Sequence, residues 1–173
     1  MKKTIFVLLL LMCFGMKSYS QKGDLYSGLQ AGFATEYKAF LYGLNFAYDF
    51  SDLLQVSLSG LMNPSIKKED GFNSAYDRTL SLTSVNLDTR IFMVNQGLWA
   101  MGPSLGAQYL SINEKDNILG DYNTWGFNIG WHLRISVSEN MRASLGWRYT
   151  SAQESVANHH FFYLSVGYAF NLF

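Results

Sequence analysis

The chain alternates between apolar and polar side chains over long stretches, and residues 124–137 show this pattern most clearly. One set of alternate positions is entirely apolar: Trp125, Phe127, Ile129, Trp131, Leu133, Ile135 and Val137. The other set holds small and polar residues: Thr124, Gly126, Asn128, Gly130, His132, Arg134 and Ser136. Because successive side chains of a β-strand point to opposite faces, the segment predicts a strand with one fully apolar face.

The same alternation predicts eight strands. The alternating positions span 25–37, 40–50, 54–62, 80–93, 99–109, 125–137, 141–149 and 162–172. In the fourth segment Leu80 and Leu82 share one parity, whereas the apolar residues from Val85 onward have the other. One inserted residue reverses the parity of a strand, so we expect a β-bulge near Thr83 or Ser84.

The connections between the segments alternate in length. Short polar turns follow the second, fourth and sixth segments, at Ser51-Asp52, Asn95-Gln96-Gly97 and Ser138-Glu139-Asn140. Longer polar segments, 63–77, 113–121 and 151–160, follow the third, fifth and seventh, and only the connection at 36–39 is short on that side. We place Pro64 in a loop and Pro103 at a bulge or a weakly paired position. This arrangement predicts an all-β, eight-stranded antiparallel up-and-down barrel.

The bulk of the apolar face decides which side of the barrel meets water. A barrel of eight strands encloses a space just wide enough for side chains to fill. The apolar face carries all four tryptophans and more than ten other aromatic residues, which would not fit inside. Glycine is frequent on the opposite face, where a narrow lumen requires small residues. We therefore expect a transmembrane barrel with lipid on its apolar face and an aromatic girdle toward the strand ends.

The first twenty residues have the features of an export signal. Lys2 and Lys3 precede a short apolar run at 5–16, and Ser18-Tyr19-Ser20 offers small residues for cleavage. We therefore predict a signal peptide at 1–20 and a barrel domain at 21–173. The alternative is a lipid anchor at Cys13, where Leu10-Leu11-Met12-Cys13 resembles a lipoprotein cleavage site.

Charge and cysteine usage narrow the function of the mature chain. Removal of Lys2, Lys3 and Lys17 from the 13 basic residues leaves ten against 13 acidic ones, a formal charge of −3. No basic patch points to nucleic acid. Cys13 is the only cysteine, so the barrel domain has no disulfide and depends on its strand pairing and burial.

The C-terminal strand carries a family resemblance. Together with the signal peptide and the eight strands, the ending Val166-Gly167-Tyr168-Ala169-Phe170-Asn171-Leu172-Phe173 resembles small outer-membrane β-barrel proteins of Gram-negative bacteria, OmpX-like and OmpA-transmembrane-like, of the Bacteroidetes type. The resemblance implies a place in the outer membrane, contact with membrane lipid and lipopolysaccharide, and recognition by the outer-membrane assembly machinery. Tyr168, Phe170 and Phe173 are the candidate assembly signal. Phe173 has the inward parity, so Phe170 and Phe173 both remain candidates for the aromatic residue that is read.

The inward charged residues are the main candidate for a functional site. We expect a polar network in the lumen formed by Glu36, Asp49, Asp88, Arg90, His132, Arg134, Arg142 and Arg148. Buried ions must be paired, so the simplest interpretation is a filling of side chains that fixes the strand register. The alternative is a salt-bridge gate that opens a narrow pore for small solutes.

The residues give little support to a catalytic or metal-binding function. Outer-membrane barrels that deacylate lipid A carry a His-x-Ser pair, and no such pair occurs here. His159 and His160 are expected at the surface before the last strand, where one of them could join a loop carboxylate on zinc. We expect no cofactor, no metal site and no enzymatic activity, and a structural or surface-binding role for the extracellular loops. A gated channel and a lipid-modifying enzyme are the alternatives, and an unidentified surface partner is expected.

Overall fold

The computed structural model describes residues 23–68, 78–114, 122–153 and 158–171 of the 173-residue chain. The predicted signal peptide, Cys13 and Phe173 lie outside these residues. Among the described residues no helix is long and apolar enough to cross a membrane.

Eight long strands close into an antiparallel barrel, as the alternation predicts. The strands are β1 (Asp24–Ala34), β2 (Ala39–Asp49), β3 (Leu54–Lys68), β4 (Arg78–Ile91), the two-residue β5 (Val94–Asn95), β6 (Trp99–Glu114), β7 (Tyr122–Ser136), β8 (Met141–Ala152) and β9 (His159–Asn171). Each long strand pairs with the next along the chain, with β4 pairing directly to β6, and β1 pairs with β9 to close the ring. Closure gives each of the eight long strands a partner on both sides.

The barrel has a turn end and a loop end. At the turn end β2 connects to β3, β5 to β6 and β7 to β8 through the short segments 50–53, 96–98 and 137–140. The Ser51 hydroxyl accepts hydrogen bonds from the backbone N–H groups of Leu53 and Leu54, at 3.3 and 3.1 Å. Gly97 has φ of 73°, a left-handed conformation that favours glycine. At the loop end, residues 35–38 form the short connection between β1 and β2 that the sequence predicts.

The apolar face points outward, which confirms the predicted orientation of the strands. Phe127 and Leu29 are 78% and 70% exposed, and Trp125 and Trp131 are also exposed. Gln30, Asn45, Asn86 and Asn128 and the other polar residues of the opposite parity are buried inside. An apolar exterior and a polar interior suit a barrel surrounded by lipid.

Small inward residues make room for rings in the lumen. A Cβ atom added to Gly146 would lie 2.2 Å from the Tyr163 ring, and one added to Gly32 would lie 2.5 Å from the Phe161 ring. The two rings therefore rest directly on neighbouring glycine backbones. This close approach explains why glycine recurs on the inward face of the strands.

The expected bulge near Thr83 or Ser84 is wrong. β4 pairs with β6 without a shift from Leu80 to Arg90, and Leu82 is buried inside the barrel. The parity changes in the sequence because Leu82 belongs to an apolar part of the lumen. An apolar residue near the loop end does not have to face lipid.

The register irregularity lies in β3 instead. The pairing of β3 with β4 shifts between Asn63 and Ile66, so Pro64 is part of a strand and its placement in a loop is wrong. Asn63 bridges the irregular segment, because its side chain accepts from Ser65 N at 2.9 Å and donates to the Phe40 carbonyl at 2.7 Å. A bulge tolerates proline, which has no N–H to offer to a neighbouring strand.

Pro103 lies where the strand pairing is interrupted, which confirms its predicted position. The β4–β6 pairing ends at Ser104, and the short β5 pairs with β6 only from Met101. The register with β6 shifts by one residue between these two stretches. The missing N–H of Pro103 therefore falls in a gap of the ladder.

Candidate functional site

Five buried side chains form an ion-paired group at the turn end of the lumen, which we name the Asp49 cluster. Its members are Asp24, Asp49, Gln55, Arg134 and Arg142. The Asp49 carboxylate accepts hydrogen bonds from Arg134 Nη1 at 2.9 Å, Arg142 Nη1 at 2.7 Å and Gln55 Nε2 at 2.6 Å. Arg142 also donates through Nη2 to Asp24. Every member is 5% exposed or less, so these charges interact in a low-dielectric environment.

The closed barrel brings the Asp49 cluster together from five strands. Asp24 begins β1, Asp49 ends β2 and Gln55 lies at the start of β3. Arg134 and Arg142 lie at the adjoining ends of β7 and β8, across the lumen. Long arginine side chains span the bore and reach the carboxylate with charge-assisted hydrogen bonds.

A second group lies farther toward the loop end and is centred on Asp88, and we name it the Asp88 network. Arg148 Nη2 donates to Asp88 Oδ2, and Asn128 Nδ2 donates to Asp88 Oδ1 at 3.1 Å. The Thr150 hydroxyl lies within hydrogen-bond distance of Asn128 Oδ1 (2.8 Å) and Gln108 Oε1 (2.6 Å). The remaining members are Ser84 and Asn86: the Ser84 hydroxyl accepts from Gln108 Nε2 at 2.7 Å and from Asn86 Nδ2 at 2.8 Å. These bonds connect β4, β6, β7 and β8 across the lumen.

His132 lies between the two groups. Its Nε2 is 3.5 Å from Arg90 Nη1 and its Nδ1 is 3.1 Å from the Tyr163 hydroxyl. Arginine can only donate, so Nε2 must act as the acceptor and the ring proton lies on Nδ1, directed to Tyr163. Arg90 Nη1 also donates to Gln55 at 2.8 Å, which links His132 to the Asp49 cluster.

Aromatic rings lie beside two of the ion-paired arginines. The Arg134 guanidinium carbon lies 4.4 Å from the centre of the Phe92 ring, and that of Arg148 lies 5.4 Å from the Tyr163 ring. A guanidinium over a ring face is attracted by the ring quadrupole, more strongly when water is excluded. Phe92 and Tyr163 therefore belong to the site, although the sequence analysis did not select them.

The loop end of the lumen is filled by apolar side chains, which we name the apolar cap. Its buried members are Ala34, Ala39, Leu41, Leu61, Ile66, Leu82, Leu110, Phe161 and Tyr163. They come from the loop ends of β1, β2, β3, β4, β6 and β9. The alternation along the sequence does not reveal this cap. In the sequence the cap is signalled only by apolar residues at inward positions near a loop, such as Leu41.

Glu36 is not part of the lumen, so its assignment to the polar network is wrong. It lies exposed in the turn at residues 35–38, where its carboxylate accepts from Thr35 Oγ1 at 2.5 Å and from the backbone N–H of His160 at 2.7 Å. Partial burial opposes ionisation, but these hydrogen bonds outweigh it and lower the pKa of the Glu36 carboxyl. β1 ends at Ala34, three residues earlier than the alternating pattern suggests.

The two adjacent histidines lie on opposite sides of the barrel wall. His159 begins β9 and is buried in the lumen, with its Nε2 3.4 Å from Gln108 Nε2, so its expected surface position is wrong. His160 lies on the outer face, stacked against Trp147, whose Nε1 donates to His160 Nδ1 at 3.2 Å. Within the described residues no group of three or more histidine, cysteine or acidic side chains has the arrangement of a metal site.

Tyr168 and Phe170 of the candidate assembly signal lie on the outer face of β9. Both are exposed, and their ring centres are 4.9 Å apart. The Tyr168 hydroxyl accepts a hydrogen bond from Asn140 Nδ2 at 2.5 Å, which ties the last strand to the turn between β7 and β8. Phe173 lies outside the described residues.

The sequence matches one family model and several solved barrels. Residues 6–170 match the outer membrane protein beta-barrel domain family. No curated protein matches the chain. The N-terminal β-barrel domain of Pseudomonas aeruginosa OprF is 19% identical with a TM-score of 0.64, and the match covers 87% of this chain and 100% of that one.

Two further structures share the barrel at low identity. OprG, an outer membrane protein of Pseudomonas aeruginosa, is 12% identical with a TM-score of 0.61, and the match covers 90% of this chain and all of that one. Ail, the attachment invasion locus protein of Yersinia pestis, is 14% identical with a TM-score of 0.58, and 87% of this chain is covered and all of that one. At these identities the likeness concerns the fold.

Proposed function

This chain belongs to the outer membrane protein β-barrel family and lies in the outer membrane, and from that premise we propose that it is a closed, non-enzymatic barrel with a structural or surface-binding role. Its extracellular loops carry the binding. The observation that supports this most directly is the apolar cap over an ion-paired lumen. A filled bore leaves the loops and the outer wall as the surfaces available to partners.

The filled lumen opposes the passage of solutes. An ion entering from the loop end would have to leave water and pass the apolar cap, where Leu41, Leu61 and Leu82 are each 2% exposed or less. Hydrophobic constrictions block conduction by excluding water. Beyond the cap, the arginines of the Asp49 cluster cross the bore and are held by short hydrogen bonds.

A surface-binding role agrees with the rigidity of the scaffold. The longer connections start from strands that are paired on both sides, so the barrel holds their ends at fixed positions. One of the similar barrels, Ail, has been solved in complex with the heparin analogue sucrose octasulfate. That complex is a precedent for ligand binding by a small barrel. The residues of its own loops would determine which ligand this chain binds.

A narrow gated channel is the second candidate, and the Asp49 cluster favours it. Two arginines share one carboxylate there, so exchange of partners would move two long side chains within the bore. Intramembrane ionisable groups often mark ion pathways.

Single-channel recording separates the two candidates. The full chain is inserted into planar bilayers at neutral pH, beside Arg134→Ala and Arg148→Ala. A closed barrel gives no stepwise current in the wild type, and Leu61→Ser combined with Leu82→Ser then introduces leak by making the cap polar. Leu53→Ser, at an exposed turn position, is the matched control. Stepwise currents in the wild type, altered in Arg134→Ala, would support the gate and reject the closed barrel.

The absence of enzymatic activity is part of the same proposal. Both ring nitrogens of His132 face Arg90 and Tyr163, and Nδ1 of His160 accepts from Trp147. A hydrolytic site would need a histidine beside a nucleophile and oriented by a third group. Lipid A profiles of a deletion strain and its parent are expected to be identical, and loss of a modified species in the deletion strain would point to an enzyme.

A further inference from the structure

Arg90 carries a charge that its described neighbours do not neutralise. Among the described residues the lumen buries four arginines, Arg90, Arg134, Arg142 and Arg148, against three aspartates, Asp24, Asp49 and Asp88. Arg134, Arg142 and Arg148 form ion pairs with these aspartates. Arg90 forms no such pair within the described part of the chain, and it is 2% exposed.

The unused hydrogen-bond donors of Arg90 indicate that the excess positive charge lies at this residue. Nη1 donates to Gln55 and lies near His132, but Nε and Nη2 have no partner among the described side chains and backbone. Burial of an unpaired ion is unfavourable even after structural relaxation, and each unmade hydrogen bond adds to that cost. A counter-ion at Nε and Nη2 would remove both penalties.

The space beside Arg90 has the chemistry of an anion site. It is lined by Tyr26, Gln55, Arg90, Arg134, Arg142 and Ser144, which present three guanidinium groups and two hydroxyls and include no carboxylate. On the neighbouring wall, Gln30, Asn45, Ser57 and Ser59 also have polar atoms without partners among the described residues. The space is narrower than a water molecule with the side chains as they stand, so an anion enters only with a movement of Arg90.

We propose that Arg90 binds a single monatomic anion, of the chloride class, inside the barrel beside Tyr26 and Ser144. The narrow space selects against polyatomic anions such as phosphate. Movement of the Arg90 guanidinium would disturb two hydrogen bonds among the described residues, the short one to Gln55 and the longer one to His132. The site stands independently of the proposed function, because a bound anion would stabilise a closed barrel and a gated one alike.

Heat-induced unfolding of the refolded full chain tests the site. Folded and unfolded forms are separated on gels after heating in sodium chloride, sodium bromide or sodium gluconate, each from 10 mM to 1 M, because gluconate is too large to enter. In the wild type we expect chloride and bromide to raise the midpoint by roughly 5 °C more than gluconate does. Arg90→Met should abolish this difference, and Lys38→Met, which removes an exposed positive charge, should retain it.

Crystals of the wild type grown in bromide provide a readout that does not depend on a variant that folds. An anomalous peak within hydrogen-bond distance of Arg90 Nε or Nη2 would support the proposal. Bromide peaks confined to the protein surface would overturn it. Equal midpoints of the wild type in chloride and gluconate, or an unchanged halide effect in Arg90→Met, would also overturn it.

Discussion

The two ends of the lumen are filled in opposite ways by the same set of strands. At the turn end the Asp49 cluster packs charged side chains against one another, and at the loop end the apolar cap packs leucine, alanine and aromatic side chains. Both groups of side chains occupy inward-facing positions of their strands. Position along the barrel, together with parity, therefore decides what an inward residue must be.

The energetic consequences of the two fillings differ. In the Asp49 cluster removal of one partner leaves an uncompensated buried charge, whereas in the apolar cap truncation leaves a cavity that neighbours partly fill. The polar end should therefore be more sensitive to the loss of a single group. The apolar cap should tolerate changes of shape that preserve volume.

The largest expected effect is at Asp49. Asp49→Asn keeps the shape of the side chain but removes the negative charge that Arg134 and Arg142 share. We expect the free energy of unfolding to fall by about 3–5 kcal/mol, measured by urea unfolding of the barrel in lipid vesicles. Asp52→Asn, at an exposed turn position, is the matched control and should change little. A loss below 1 kcal/mol at Asp49 would show that the cluster is solvated.

A smaller effect is expected in the apolar cap. Leu82→Ala removes a side chain that is 1% exposed, and we expect a loss of about 2–3 kcal/mol in the same assay, toward the lower end for such changes because the loop mouth can relax. Leu53→Ala, at a turn position that is 60% exposed, controls for the loss of the side chain itself. If Leu82→Ala costs more than Asp49→Asn, the proposed contrast between the two ends is reversed.

The smallest effect is expected at Glu36, a carboxylate beyond both ends of the lumen. Its pKa is lowered in the folded chain, so its contribution to stability is complete above the unfolded pKa and is lost as the pH falls through the folded pKa. At pH 7 the unfolding midpoint of the wild type should therefore be slightly higher than that of Glu36→Gln. The two midpoints should converge at pH 3. Glu139→Gln, in an exposed turn, is the control. A difference that grows toward pH 3 would contradict the assigned hydrogen bonds.

The alternation of apolar and polar residues along the chain was sufficient to predict the barrel and the side of its wall on which most residues lie. Asp49, Asp88, Arg134 and Arg142 are all buried on the inward face, as their parity indicates. The predicted short turns also agree with the structure, because polar residues and Gly97 suit tight connections.

The errors arose where parity alone was used to infer surroundings. The expected bulge near Thr83 or Ser84 depends on all apolar residues of β4 sharing one face, although the loop end of the lumen, where Leu82 lies, is apolar too. The alternation continues in the sequence as far as Tyr37 and predicts an inward Glu36, but β1 ends at Ala34. His159 is expected at the surface as part of a loop, but β9 begins at this residue and its side chain points into the lumen.

The sequence by itself determined the number of long strands, their two faces and the side that meets lipid, because side-chain direction in a strand follows from its period. The tertiary structure decided which charges meet. Asp49 and Arg142 are 93 positions apart, and their contact depends on the register with which the strands close into a ring. Closure likewise left Arg90 without a carboxylate partner among the described residues and placed leucine over the ion pairs, because these neighbours approach one another only across the bore.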